Sequence, residues 1–260
     1  MYLHYKIRYS CISHIGNVRG INQDNFICDG QYLKNNEIKM DFPICGTKIP
    51  QENPVFGIFD GMGGEECGEV ASYIASKDAA EIVIGEEVTT DLLRFCYKVN
   101  NDICDYTILQ KISMMGTTAA MLVFTGKKVA LCNIGDSKIF RLRNGILEQI
   151  SVDHVVAVGH GMKPPLSQNL GIPPNELIID PYIAQGSYNN GDIYLVCSDG
   201  LTDMVSTEEI TKILICNHVE EAITLLLDTA LANGGRDNIT IILCEIQRQT
   251  GCLFNRKHNS

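Results

Sequence analysis

Short apolar segments bounded by Gly, Asp or Asn recur along this chain, and they constrain its fold more than any other feature. Because they are rich in Val, Ile, Phe and Leu, they predict β-strands. The predicted strands are residues 55–60, 117–124, 128–135, 138–143, 193–198 and 239–246. Asn144-Gly145 lies between flanks of alternating apolar residues and predicts a hairpin turn. Since most of these strands adjoin one another through turns, we expect antiparallel pairing.

Amphipathic segments separate the strands and predict helices. Apolar residues recur at helical spacing through residues 219–232 and again through 92–103, the second time behind Thr89 and Thr90 as candidate caps. Residues 66–82 are a third predicted helix. Because the helices cluster in pairs between runs of adjoining strands, we expect an α+β fold with antiparallel sheets.

Size and charge limit the domain count and the partners. With 260 residues, 45% of them hydrophobic, the chain can bury a sizeable core. No linker or repeat interrupts residues 1–247, which we interpret as one domain, and residues 248–260 form a loose, mildly basic tail. The formal net charge of −10 argues against nucleic acid or an anionic membrane as a partner. No apolar run approaches the roughly 18 residues of a membrane span.

Cysteine usage points to a reducing compartment. The eleven cysteines are scattered from Cys11 to Cys252 without any C-x-x-C pair, so they lack the spacing of a zinc site or a disulfide framework. The N-terminal sequence MYLHYKIRYSCISHIG contains no apolar core of a secretory signal. We therefore expect reduced thiols and a cytoplasmic protein.

Aspartates stand where predicted strands end, and they carry the clearest chemical signal. They are Asp60 in FGIFDG, Asp136 in LCNIGDS, Asp199 in YLVCSDG and Asp237 in GGRDNIT, and Asp24 in RGINQDNF opens a further apolar stretch. A turn explains one such aspartate, but several facing carboxylates repel one another and raise each other's pKa. Mg²⁺ or Mn²⁺ would remove that repulsion, and no histidine pair offers zinc-type ligands. The sequence therefore predicts a binuclear Mg/Mn site, at which Gly61 could turn its carbonyl toward a metal held by Asp60.

These residues belong to a longer ordered set. Its members are RGINQD (19–24), DGMGG (60–64), GTTAA (116–120), GDSKIFRLRNG (135–145), SDGL (198–201) and GGRDNIT (234–240). The set resembles the metal-dependent serine/threonine protein phosphatases, the PPM or type 2C family, from about residue 8 to 246, and Met62 is similar to bacterial members. The resemblance implies a central β-sandwich of two antiparallel sheets flanked by α-helices on both faces.

The resemblance also implies roles for the acids. Asp60 would bridge two Mn²⁺ or Mg²⁺ ions, with the Gly61 carbonyl on one of them. Asp199 and Asp237 would bind the other ion, and Asp24 would hold a metal-bound water. The implied reaction is hydrolysis of phosphoserine and phosphothreonine by a water activated between the two metals.

Further positions carry alternatives. Arg19 would grip the substrate phosphate with its guanidinium fork, where without the motif a surface salt bridge is the default. Asp136 matches the position of a third, weaker metal, or it is a turn residue. We interpret Asn238 and Thr240 as strand packing. His154 is interpreted as a loop or cap residue, and the flap segment that follows it is shorter than in the family.

Two rival functions remain open at this stage. A catalytically weak relative could bind phosphoproteins in a regulatory role without hydrolysing them, and a different two-metal phosphoesterase such as a nuclease would also use these acids. The acidic surface disfavours the nuclease. As partners we expect phosphorylated proteins and an opposing Ser/Thr kinase, and we expect a monomer.

Overall fold

Two antiparallel sheets form the centre of the protein in this computed structural model, which describes residues 5–34, 39–62, 67–157 and 164–249. The strands are β1 (Tyr5–His14), β2 (Asp24–Cys28), β3 (Ile44–Lys48), β4 (Val55–Met62), β5 (Gly116–Thr117), β6 (Ala119–Thr125), β7 (Lys128–Ile134), β8 (Lys138–Arg143), β9 (Ile146–Gln149), β10 (Tyr182–Ser187), β11 (Ile193–Cys197) and β12 (Ile239–Arg248). The helices are α1 (Gly68–Ala80), α2 (Val88–Gln110), α3 (Asp199–Thr202), α4 (Thr207–Cys216) and α5 (Val219–Ala232).

The first sheet has the order β3-β1-β12-β11-β8-β9, and the second has the order β10-β7-β6-β4-β2 with β5 paired to β4. The pairing within both is antiparallel, as predicted. The predicted hairpin joins β8 to β9, with positive φ at Asn144 and Gly145, as a two-residue turn of this kind requires.

Helices cover the outer face of each sheet. Between the sheets lies an apolar layer in which Phe124 contacts the rings of Phe56 and Tyr194 edge-on. Helices α1 and α2 bury their apolar faces against the second sheet, and α4 and α5 pack on the first. The predicted sandwich flanked by helices on both faces is therefore confirmed.

Several local predictions need correction. Helix α2 begins at Val88 after Glu87, and Thr89 and Thr90 lie inside its first turn, so neither is the cap. Helix α4 was missed, although Ser206 caps it by accepting a hydrogen bond from the backbone N–H of Glu209 at 3.2 Å. That Ser-x-x-Glu spacing is the capping-box signal.

Strands β1, β2, β3 and β10 and the short helix α3 are also absent from the predicted elements. Strand β1 buries Ser10 and Ser13, which blur its apolar pattern, and β3 and β10 are edge strands with few buried residues. The predicted tail from 250 onward, the centre of the short flap at 158–163 and the glycines at 63 and 64 lie outside the described residues. No helix in the described part of the chain is long and apolar enough to cross a membrane.

Candidate active site

Asp60 lies near the end of β4, where the second sheet holds its backbone firmly. The Asp60 carbonyl accepts hydrogen bonds from the Thr118 backbone N–H at 2.8 Å and from the Thr117 hydroxyl at 3.0 Å. Its own N–H donates to the Thr118 hydroxyl at 3.0 Å. Because the neighbouring strand β2 pairs with β4, Asp24 lies directly opposite Asp60. The register of two strands thus brings two carboxylates together.

Asp24 is buried behind the cleft, and its two carboxylate oxygens differ. Oδ2 accepts hydrogen bonds from the hydroxyls of Ser198 and Thr240, each at 2.7 Å. No described residue provides a hydrogen-bond partner for Oδ1. Burial raises the pKa of Asp24 to about 7, although the two hydroxyls act in the opposite direction. A buried carboxylate oxygen without a protein partner calls for a polar ligand from outside the protein.

Asp199 and Asp237 come from adjoining loops of the first sheet. Asp199 is the first residue of α3, and Asp237 precedes β12. The two loops approach closely because Gly200 has no side chain, since a Cβ there would overlap the carbonyl oxygen of Asn238. Both aspartates can therefore face the same cleft as Asp60.

Asn238 ties the loop that carries Arg19 to the strand end that carries Asp237. Its side-chain oxygen accepts a hydrogen bond from the Gln23 backbone N–H at 2.8 Å, and its amide donates to the carbonyls of Ile15 and Ile21 at 2.9 and 3.0 Å. The interpretation of this residue as strand packing was incomplete, because these bonds organise the site.

Arg19 reaches into the cleft and forms an ion pair with Asp237, its Nη2 lying 2.7 Å from Oδ2. This hydrogen bond raises the pKa of the Arg19 guanidinium, so the group stays charged. The Arg19 side chain is 52% exposed, so its fork remains accessible to a ligand in the cleft. Arg19 does form a salt bridge, but with a residue of the cleft lining. The geometry is therefore compatible both with a salt bridge and with phosphate binding.

Asp136 follows a tight turn at the end of β7. Gly135 has a φ of +101°. Its carbonyl accepts a hydrogen bond from the His154 backbone N–H at 2.9 Å, and its own N–H donates to the His154 Nδ1 at 3.3 Å. The Ser137 hydroxyl lies 2.7 Å from that of Thr118, which links this turn to Asp60. His154 stabilises the turn, as expected of a loop residue. The position of Asp136 is compatible with both of its predicted roles, a ligand of a third metal or a turn residue.

All the predicted site residues except Asp24 line one cleft of about 310 Å³, and Asp24 is buried behind it. The cleft is lined by Arg19, Gln23, Asp60, Gly61, Met62, Thr118, Asp136, Pro164, Pro165, Leu166, Asp199, Asp237 and Asn238. Burial and the negative charges of neighbouring aspartates, Asp24 first among them, raise the pKa of Asp60 well above its usual range. Such crowding of carboxylates is what a pair of divalent cations would relieve.

The donor set fits Mg²⁺ or Mn²⁺. Among the described residues, no three acidic, histidine or cysteine side chains form a closed cage of metal ligands. Mg²⁺ does not require one, because it keeps several waters and binds through one or two carboxylates. The partnerless Oδ1 of Asp24 and the open, acid-lined cleft match this mode of binding.

Packing requires a glycine at position 61, independently of the predicted role of its carbonyl as a metal ligand. A Cβ at Gly61 would overlap the carbonyl oxygen of Gly68, so the glycine lets α1 approach the end of β4. Its N–H donates to the Gln23 carbonyl at 3.0 Å. Because Gly61 lines the cleft, its carbonyl can still serve as the predicted metal ligand.

Comparison with known proteins decides the family. The family model described as protein phosphatase 2C matches residues 44–238. The chain belongs to this family. The serine/threonine phosphatase stp of Listeria monocytogenes serotype 4b is 30% identical over 215 residues, which cover 74% of this chain and 84% of stp. The serine/threonine protein phosphatase PstP of Mycobacterium tuberculosis is 29% identical over 256 residues, covering 92% of this chain and 45% of PstP.

A solved structure extends the likeness to the whole fold. The catalytic domain of PstP in complex with two manganese ions superposes with a TM-score of 0.76 at 29% identity, covering 94% of this chain and 99% of that domain. The chain is thus a metal-dependent protein serine/threonine phosphatase of the bacterial PPM type, and its cofactors are Mn²⁺ or Mg²⁺. Its substrates are phosphoproteins, and the non-catalytic alternative is not favoured.

Proposed function

We propose that the cleft around Asp60 is the phosphatase centre and that its residues divide the work as follows. Asp60 would bridge two metal ions, with the Gly61 carbonyl on one of them. Asp199 and Asp237 would bind the other ion, and Asp24 would hold a metal-bound water. The convergence of Asp60, Asp199 and Asp237 on one cleft, together with the partnerless Oδ1 of Asp24 behind it, carries the proposal. When bound, the two ions acidify a water and neutralise charge on the phosphoryl group.

Arg19 binds the phosphate of the substrate. To do so, its guanidinium turns from the Oδ2 of Asp237, 2.7 Å away, and offers two parallel N–H groups to phosphate oxygens. Because phosphate oxygens then replace the Asp237 carboxylate, the positive charge of Arg19 stays paired with a negative one. Asp136, at the rim of the same cleft, is the candidate for a third, weaker metal.

Protonation of the leaving serine or threonine oxygen falls to water. Met62, in the cleft lining, has no proton to donate, and the described lining contains no histidine. The leaving group therefore departs toward solvent at the open side of the cleft.

The cellular setting is part of the proposal. The described cysteines are free thiols, which supports a reducing, cytoplasmic location. The predicted metal- and phosphate-binding residues meet within a single chain, so the site needs no second copy to complete it, and we expect a monomer. It reverses the action of a Ser/Thr kinase, since a phosphoester must first be made by one. Sedimentation of the purified protein tests the monomer.

Hydrolysis of a phosphothreonine peptide tests the reaction. Phosphate release should require Mn²⁺ or Mg²⁺ and stop with EDTA, whereas single-stranded DNA should remain intact under the same conditions. Activity that survives EDTA and extensive dialysis would contradict the binuclear site. Cleavage of the DNA would favour a nuclease, and binding of the peptide without hydrolysis would favour a phosphoprotein-binding role.

A further inference from the structure

A second cavity opens beside the active-site cleft and shares Met62 with it. Its volume is about 320 Å³, close to that of the cleft itself. About half of its lining is apolar and rich in methionine, namely Met62, Met114, Met115, Ile172 and Pro173, and the rest includes the polar residues Thr107, Ser113, Asn169 and Glu176. It lies between the C-terminal end of α2, the short strand β5 and the loop of residues 169–173. Nothing in the hydrolytic reaction uses this cavity.

The far wall of the cavity is held in place by buried hydrogen bonds. The Asn100 side-chain oxygen accepts from the backbone N–H groups of Gly171 and Ile172 at 2.8 and 3.1 Å, and its amide donates to the Ile172 carbonyl at 2.9 Å. Leu170 and Thr117 exchange backbone hydrogen bonds at 3.0 and 2.9 Å. The cavity is therefore preformed, as ligand pockets usually are.

The cavity is close to the catalytic residues along the backbone. Met62 is two residues beyond Asp60 on β4, a distance of about 7 Å at the rise of a strand, and it pairs with Gly116 in the cavity wall. A peptide whose phosphoresidue lies in the cleft would thus bring a side chain one to three residues away to the cavity mouth.

One apolar side chain of the lining, Met114, is also exposed. It is 64% exposed and lies just beyond the end of α2, so a bound peptide can reach it from solvent. Methionine side chains adapt their shape to different apolar partners.

We propose that this cavity binds an apolar side chain of the phosphoprotein substrate, one to three residues from the phosphorylated residue. The proposal rests on the proposed function, because it places the phosphate in the adjoining cleft. Its occupant is a single side chain such as Leu, Ile, Met or Phe, since a cavity of about 320 Å³ is at the small end of ligand pockets. The cavity thereby selects among phosphorylation sites.

Paired phosphothreonine peptides test the proposal. Each pair carries Leu or Ala at one of the three positions on either side of the phosphothreonine, and kcat and KM are measured with Mn²⁺. At one or more positions the Leu peptide should be preferred by about tenfold in kcat/KM, mainly through KM, because binding of a remote side chain affects substrate and transition state alike. Hydrolysis of p-nitrophenyl phosphate, which has no flanking chain, reports the catalytic centre alone.

Two variants then locate the preference. Met114→Glu, at an exposed position of the lining, and Ser113→Trp, which would fill the cavity, should each abolish the Leu preference and leave p-nitrophenyl phosphate hydrolysis unchanged. Ile108→Glu is the matched control, because Ile108 is also an exposed apolar residue near the end of α2 but lies outside the lining, and this variant should retain the preference.

The outcomes separate this proposal from the proposed function. Equal rates for Leu and Ala at every position, or a Leu preference that survives both lining variants, would overturn the cavity proposal while p-nitrophenyl phosphate is still hydrolysed. Failure of the wild-type protein to hydrolyse any of these substrates with Mn²⁺ would instead overturn the proposed function.

Discussion

Replacement of Asn238 by alanine tests whether this residue assembles the site. The substitution removes hydrogen bonds to the Gln23 N–H and to the carbonyls of Ile15 and Ile21, at 2.8, 2.9 and 3.0 Å. Each such bond contributes about 1 kcal/mol net, so Asn238→Ala should lower the free energy of unfolding by about 3 kcal/mol. The loss should be near this value because Asn238 is 5% exposed and water cannot easily replace its amide.

Activity should fall for a related reason. The three partners of Asn238 belong to the segment that carries Arg19, so the substitution frees the phosphate-binding guanidinium from its position. Misplacement of a binding group by about 1 Å can cost up to about 10²-fold in rate. We expect KM for a phosphothreonine peptide to rise more than kcat falls.

Urea unfolding of the metal-free protein measures the first effect, and Asn233→Ala is the matched control. Asn233 is exposed and makes one side-chain hydrogen bond, from its amide to the Met204 carbonyl at 2.8 Å. Its removal should cost about 1 kcal/mol or less. If Asn238→Ala destabilises the protein no more than this control, the hydrogen bonds of Asn238 do not organise the site and the reasoning is wrong.

The other predictions concern the charged residues of the cleft. Arg19→Ala should raise KM for phosphopeptide more than it lowers Mn²⁺ affinity, and an unchanged KM would remove Arg19 from phosphate binding. Asp60→Asn should melt at or above the wild type in EDTA at pH 7.5, because a carboxylate whose pKa is raised by folding destabilises the folded state when ionised. With Mn²⁺ at a hundredfold excess over Kd the wild type should gain about 2.7 kcal/mol and Asp60→Asn far less; a metal-free variant that melts well below wild type would make Asp60 a structural turn residue. Asp136→Ala should slow turnover while calorimetry still detects both tight metals, and loss of those two sites would place Asp136 among their ligands.

Local patterns in the sequence predict the antiparallel strands and the acids of the cleft, and the resemblance to the family supplies the sandwich. Strand segments such as β4 and β11 are apolar runs, and the aspartate that follows or ends each run is a local signal. The turn at Asn144-Gly145 is equally local, since two residues with positive φ suffice to define it. Features of this kind can be predicted because neighbours in the chain determine them.

Other features depend on contacts between distant segments. Gly61 stands beside Asp60 in the sequence, yet it must lack a side chain because the carbonyl of Gly68, at the start of α1, packs against the end of β4. The hydrogen bonds of Asn238 reach residues 215 to 223 positions away. The spacing of apolar residues in the sequence does not indicate such long-range contacts, so it predicts only strand packing for Asn238.

The support of Asp24 shows why the site and the core form together. Asp24 opens β2 in the second sheet, whereas Ser198 follows β11 and Thr240 lies in β12, both in the first sheet. The carboxylate therefore receives its two hydroxyl donors only when the sheets have packed face to face. A buried carboxylate without them would face a still higher pKa, since these bonds favour its charged form. The apolar layer between the sheets thus positions Asp24 behind the cleft, and under the proposed function the same packing that stabilises the fold also prepares the metal site.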